Sequence, residues 1–264
     1  HIYPEILMSP NLFVQSDLNK VPINKWIFNM YTGLKDYGYN IIFVTNPDQF
    51  KMERSDILLS GWEWMHPKLK ESGINYELLD YPEPLRRFLV SSPRKMVIGD
   101  LVRVSEEEEF TRYFLKPVVT KEFSARVVHK NFIYKNSPGI HDIPETSEIW
   151  VLENLEDIVS EFRIFVHNNQ EVHIDLYCDL LNTGLEHHRE QLISEFLPGI
   201  FERYKKESPR AYCLDILCTH QPTGDLKYTL GEVTDILCAG HHSISPDTLA
   251  RLLMDRWDEL WERG

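Results

Sequence analysis

The chain has 264 residues, 42% of them hydrophobic, enough for one large or two small domains with a real core. Its 41 acidic against 28 basic residues give a formal net charge of −13, a surface that repels nucleic-acid backbones and anionic membranes. No run reaches the ~18–20 apolar residues of a membrane span, and no charged-then-apolar leader pattern opens the sequence, so the expectation is a cytoplasmic protein.

Within residues 1–100 short apolar runs alternate with helical patterns. Residues 6–8 read as a first strand. Pro22 opens a helix with Trp26, Ile27, Met30 and Leu34 on one stripe, and Gly38 ends it. Residues 40–45, 57–59 and 76–79 read as further strands. This alternation predicts a small open α/β sheet. Pro82, Pro84 and Pro93 punctuate the next stretch, where a domain boundary is expected.

Ser105 and the glutamates of 106–109 read as a helix start, with Ser105 as cap and Glu108 completing a capping box. Residues 113–119 form an expected strand with a single lysine, Lys116. Residues 127–129 and 131–134 continue as β. Residues 135–148, with Pro138, Gly139 and Pro144, read as a loop.

Two hairpins follow. In the first, pairing Val166 with Val172 sets Ile164 opposite Ile174 and Phe162 opposite Leu176, an apolar face. The other face carries Glu161, Arg163 and Phe165, with Arg163 opposite Asp175 and Glu161 opposite Tyr177. By pattern alone that face is solvent-exposed, with a weak cross-strand ion pair. In the second hairpin, residues 211–217 and 226–233 flank a turn with Pro222, Gly224 and Asp225. Asp215 is a carboxylate inside an apolar strand, which is costly unless it is paired, hydrogen-bonded or metal-bound. Set opposite residue 230 or 232, it shares a face with Glu232, and Thr234 continues that face. Magnesium takes one or two such carboxylates and completes its shell with water and phosphate oxygens. The alternative is an edge hairpin with both carboxylates solvated.

A last helix starts at Ser245 and Pro246 and carries a packing stripe from Leu249 through Leu252, Leu253, Trp257 and Leu260 to Trp261. Cys178, Cys213, Cys218 and Cys238 form no C-x-x-C pair and read as buried free thiols rather than a zinc site. In His187-His188 and His241-His242 the neighbours diverge, so both pairs read as surface histidines. There is no Gly-x-x-x-x-Gly-Lys-Ser/Thr loop and no Gly-x-Ser-x-Gly elbow.

The order of these pieces over about residues 110–240 resembles the ATP-grasp superfamily. The string Glu161-Phe162-Arg163-x-Phe165-Val166 is similar to its phage and bacterial clade and to its eukaryotic cell-division-cycle relatives. The resemblance implies an α/β (α+β) fold: a small N-terminal α/β domain over 1–92 and an ATP-grasp region over 93–264 with antiparallel sheets. The lid would span about 112–150, and the C-terminal sheet and helices 151–264. It implies that Lys116 reaches the ATP phosphates, that Glu153, Asn154 and Leu155 form the adenine hinge, and that Glu161 takes the ribose. Arg163 would line the phosphate end. Asp215 and Glu232 would hold Mg2+, with Thr234 in place of the usual asparagine and Asp235 able to take over if the strand bulges. The implied cofactors are ATP and Mg2+, and the implied activity is ATP-dependent carboxylate–amine (or thiol) ligation through an acyl phosphate. Cys213 stands where the family often has an arginine. That departure keeps an alternative open: a nucleotide-dependent assembly factor for a partner protein. The implied partners are ATP and an unidentified carboxylate substrate or protein, with no membrane and with nucleic acid disfavoured by the acidic balance.

Overall fold

The computed structural model describes residues 9–107, 112–119, 122–134, 140–153, 157–221, 223–240 and 243–263. The strand expected at 6–8 lies outside them. Among the described residues three sheets carry the fold.

The first is parallel: β1 (Asn11–Gln15) lies between β2 (Asn40–Val44) and β3 (Ile57–Leu59). Helix α1 (Lys25–Leu34) crosses from β1 to β2, and α2 (Trp62–Glu71) follows β3. Asn24, not Pro22, starts α1, since its side chain accepts the Ile27 N–H at 2.9 Å. Residues 76–79 form an extended connection, not the expected strand. Sheet pairing touches this stretch only at its end, where Asp80 bridges to Val233.

The second sheet is antiparallel, in the order β4 (Arg94–Val97), β7 (Glu148–Glu153), β5 (Arg112–Pro117), β6 (Arg126–His129). Helix α3 (Ile98–Glu107) follows β4. Ser105 therefore sits in the last turn of a helix rather than capping one, and its hydroxyl donates back to the Val102 carbonyl at 2.9 Å. Glu108 and Glu109 lie outside the described residues. Lys130–Phe132 is a 3-10 turn where β was expected.

The third sheet holds the two hairpins, in the order β11 (Leu226–Asp235), β10 (Ala211–His220), β8 (Ile158–His167), β9 (Gln170–Asp179). The expected register holds at Phe162–Leu176, Arg163–Asp175 and Ile164–Ile174. Irregularities on either side move Val166 opposite Glu171 and Glu161 opposite Cys178. The apolar face packs under α4 (Leu185–Gln191) and α5 (Leu197–Tyr204), through Phe162, Ile164, Leu214 and Ile216. His188 of α4 is fully buried there, not on the surface. It hydrogen-bonds Thr183 Oγ1 at 2.9 Å and the Tyr228 hydroxyl at 2.8 Å.

Helix α6 (Pro246–Arg263) returns to the first sheet. The Trp257 ring is 1% exposed and its Nε1–H donates to the Asp56 carbonyl at 2.6 Å. The core of the N-terminal sheet therefore includes C-terminal residues. The four cysteines are free thiols, Cys213 and Cys218 buried and Cys178 and Cys238 half-buried. Among the described residues no helix is long and apolar enough to cross a membrane.

Candidate functional site

Strand alternation aims the site. On β5, Tyr113 and Leu115 turn into the core of their own sheet, so Phe114 and Lys116 face the opposite way, toward the third sheet. On β8, Phe162 and Ile164 face the helices, which leaves Glu161 and Arg163 on the other face. That face is not the solvent-exposed one the hairpin pattern suggested: Arg163 and Asp175 are each 9% exposed, and Phe165 is fully buried. The elements packed against it remove it from water.

Asp215 lies directly between Arg163 on β8 and Glu232 on β11. A bulge after Asp215 omits Gly231 from the pairing and restores the ladder at Ile216–Leu230. Gly231 fits closely there: a Cβ would approach the Asp215 carbonyl to 3.1 Å and Leu217 Cγ to 3.2 Å, so these neighbours would have to shift.

Arg163 grips Asp215 with two parallel bonds, Nε to Oδ1 at 2.7 Å and Nη2 to Oδ2 at 2.6 Å. Lys116 reaches across from the second sheet to pair with Glu232 and with Asp80, the latter at 2.5 Å. Thr234 Oγ1 donates to Glu232 at 3.1 Å, and Trp150 Nε1 donates to Asp80 at 3.1 Å. Burial, only partly offset by Arg163 and reinforced by Glu232, pushes the Asp215 carboxyl up. At Glu232 burial is outweighed by Lys116, which holds that carboxyl below its usual value. Burial disfavours the charged Lys116 ammonium, but Glu232 and Asp80 outweigh it and keep it protonated. Burial, then the charge of Asp215, raises Glu161, whose carboxylate makes no hydrogen bond or ion pair among the described residues.

Two cavities meet at Lys116, Arg163 and Glu232. One, of about 370 Å³, is an apolar slot between the two antiparallel sheets, walled by Phe114, Leu152, Leu217 and Leu230, with Glu161 on its rim. The other, of about 430 Å³, is a more polar chamber reaching Asp80, Ser124 and Thr234.

The expected residues do not all converge. Asp235 lines the chamber but its carboxylate is committed elsewhere, to the Arg256 guanidinium (2.7 Å) and the Leu237 N–H (3.0 Å). Glu153 pairs with Arg94, and its own N–H donates to Ser91 Oγ at 2.9 Å. Asn154 and Leu155 lie outside the described residues. Cys213 is fully buried in the core shared with α6. Sequence reasoning missed Asp80 and Tyr81. Among the described residues the buried Tyr81 hydroxyl has no hydrogen-bond partner, and it lies within the electrostatic reach of Lys116, Glu232, Asp80 and Asp215. Lys116 also lies 5.6 Å from the Tyr81 ring centre. The only signal in the sequence was an acid and an aromatic beside prolines, in a stretch with no helix or strand period.

Among solved structures, the chain is similar to the ATP complex of D-alanine–D-alanine ligase from Bacillus anthracis. The TM-score is 0.57 at 12% identity, over 97% of this chain and 100% of that one. It is also similar to a RimK domain ATP-grasp protein from Sphaerobacter thermophilus, with TM-score 0.50, 14% identity and coverage of 96% and 98%. D-cycloserine synthetase DcsG gives TM-score 0.50 at 11% identity, covering 94% and 99%. At these identities the likeness is one of fold, a mixed α/β architecture of the ATP-grasp ligases. No curated protein matches the chain. A family model for an ATP-grasp domain, the second family of its clade, matches residues 92–252, well over half of the sequence, and the chain therefore belongs to that ATP-grasp family.

Proposed function

We propose that the protein is an Mg–ATP-dependent ligase that phosphorylates a carboxylate to an acyl phosphate and passes the acyl group to an amine or a thiol. The observation that carries this reading is the meeting of an apolar slot and a more polar chamber at Lys116, Arg163 and Glu232, with Asp215 lining the slot beside them. In this reading adenine occupies the slot, beside Leu152 near the end of β7. Glu161 carries an uncommitted carboxylate suited to the ribose hydroxyls.

The residues present also fit a metal. Asp215 and Glu232 are register partners on adjacent strands, Thr234 adds a hydroxyl oxygen, and the orphaned Tyr81 hydroxyl suits a water or phosphate oxygen. Asp235 is not part of this set, because Arg256 holds it. Bound there, Mg2+ would supply Lewis-acid stabilisation of phosphate charge. This chain's own share is electrostatic. Lys116 and Arg163 turn from their carboxylate partners to the phosphates, neutralise the charge that develops on the transferred group, and hold it in line with the chamber. Four free thiols suit a reducing cytoplasm.

The test is ADP release with a panel of amino acids and peptides, repeated with Asp215→Asn and Lys116→Ala. Acceptor-dependent release that both substitutions abolish supports the ligase. Cys213 favours a second reading, a nucleotide-dependent assembly factor. Where the resemblance expects an arginine, a fully buried thiol leaves the phosphoryl end with Lys116 and Arg163. A protein partner captured in a pull-down, lost on Asp215→Ala and accompanied by no turnover, would select that reading.

A further inference from the structure

Asp80 stands in the connection between the first and second sheets, yet three parts of the chain meet on it. Its carbonyl accepts the Val233 N–H of β11 at 2.9 Å. Its carboxylate, 12% exposed, accepts Lys116 Nζ of β5 at 2.5 Å on one oxygen and Trp150 Nε1 of β7 at 3.1 Å on the other. Its backbone has φ of 37°, in the left-handed region that a non-glycine residue adopts at a cost. This anchorage fixes the carboxylate in front of Lys116.

Lys116 thus has two anionic partners, Asp80 and Glu232. They differ in what a loaded site asks of them. Glu232 is the register partner of Asp215 and, in the proposed function, one of the residues that would hold a metal, which would compete with Lys116 for it. Asp80 has no such partner. Its ties to Val233 and Trp150 do not involve the proposed cation site and hold it facing the lysine.

We propose that Asp80 is a positioning residue that competes with the nucleotide's phosphates for Lys116 and so sets how strongly the site holds phosphate. The inference rests on the nucleotide reading above and goes beyond it in assigning a role to a residue outside the sheets. When Lys116 leaves, Asp80 keeps the Trp150 N–H alone in a wall largely removed from water. An uncompensated buried carboxylate is unfavourable, and that penalty opposes phosphate binding. Adenosine, which has no phosphate, leaves Lys116 where it is and bears no penalty.

The test is calorimetric binding of three probes, Mg–AMP-PNP, Mg–ADP and adenosine, to the wild-type protein, Asp80→Asn, Lys116→Met and the double variant. Asparagine keeps an oxygen for Trp150 Nε1 and tolerates the left-handed backbone better than most residues. Asp80→Ser, judged folded by its thermal transition, serves as the second variant. Asp80→Asn should bind Mg–AMP-PNP about 10-fold more tightly, the scale of coupling between contacting charged residues. Adenosine affinity should not change. Lys116→Met should weaken Mg–AMP-PNP binding, and adding Asp80→Asn should restore none of it, because the contested cation is gone; restored binding in the double variant overturns the proposal. Unchanged or weaker Mg–AMP-PNP binding by folded Asp80 variants, with wild-type binding intact, overturns this proposal alone. An equal change for adenosine makes Asp80 merely structural and also overturns it. Failure of the wild type to bind any of the three probes removes the nucleotide reading, and this inference with it.

Discussion

The pair Arg163–Asp215 gives the sharpest test of how the site is built. Both side chains are almost fully buried, at 9% and 5% exposure, and the guanidinium clasps both carboxylate oxygens at 2.7 and 2.6 Å. Arg163→Met keeps much of the aliphatic volume and removes the charge. It leaves a carboxylate in the sheet interior beside Glu232, and a buried pair broken on one side costs about 3–5 kcal/mol. Replacing both partners, as in Arg163→Met with Asp215→Leu, removes the stranded charge and should return most of that stability. The pH dependence has a definite sign. Burial already raises the Asp215 carboxyl, and without Arg163 it rises further. A carboxyl whose folded-state value lies above its unfolded value destabilises as pH rises through the folded value. The loss in Arg163→Met should therefore be largest at neutral pH and shrink toward pH 4. Urea unfolding at pH 5 and pH 8 measures both effects. A single-variant loss below about 1 kcal/mol, the range of an exposed ion pair, would refute the buried-clasp account.

Other expectations follow from the same geometry. Glu161→Gln should raise the melting temperature at pH 7.5 and leave it unchanged near pH 4, since burial raises this carboxyl and its ionisation destabilises the fold. The same variant should weaken nucleotide binding at pH 7.5, measured by calorimetry. Burial lowers His188, so its stabilising share is present above its unfolded value and is lost as pH falls below it. His188→Ala should cost about 2–4 kcal/mol, through a cavity and two lost hydrogen bonds, and should flatten the acid limb of the stability profile. Trp257→Ala should cost about 3–5 kcal/mol and, because the N-terminal core includes α6, lower one common unfolding transition rather than split it; calorimetry distinguishes these outcomes. Gly231→Ala should destabilise by about 1–3 kcal/mol in urea, because its Cβ would crowd the Asp215 carbonyl and Leu217.

Much of the site geometry could be read from the sequence where physics leaves few choices. Asp215 inside an apolar strand demanded a partner, and the two-residue period of the facing strand offered Glu232. Strand alternation separated Arg163 from Phe162. Two features defeated that logic at the edges. Bulges beside Phe162, Phe165 and Asp215 carry no periodic signature, so the hairpin ends slipped by a residue. Exposure of the Arg163 face could not be judged from its own hairpin, since what covers it comes from elsewhere in the chain. Residues 76–79 have strand-like composition but no available sheet edge beyond the single bridge at Asp80. Ser105 and its glutamates satisfied a helix-start pattern at what is the end of α3. His188 looked superficial beside His187, because its burial depends on Tyr228, forty residues away. Asp80 carried no pattern, and its importance arises entirely from tertiary contacts.

A magnesium–nucleotide site at Lys116, Arg163, Asp215 and Glu232 underlies the proposed function. Thermal unfolding with and without millimolar Mg–ATP tests it most directly. At about 100 times the dissociation constant, binding stabilises the folded state by about 2.7 kcal/mol, which for a chain of this size raises the melting temperature by on the order of 5 °C or more. The wild type should show that rise, Lys116→Ala should lose it, and Asp215→Asn should lose its magnesium dependence. A wild-type protein whose melting temperature does not respond to Mg–ATP would contradict it.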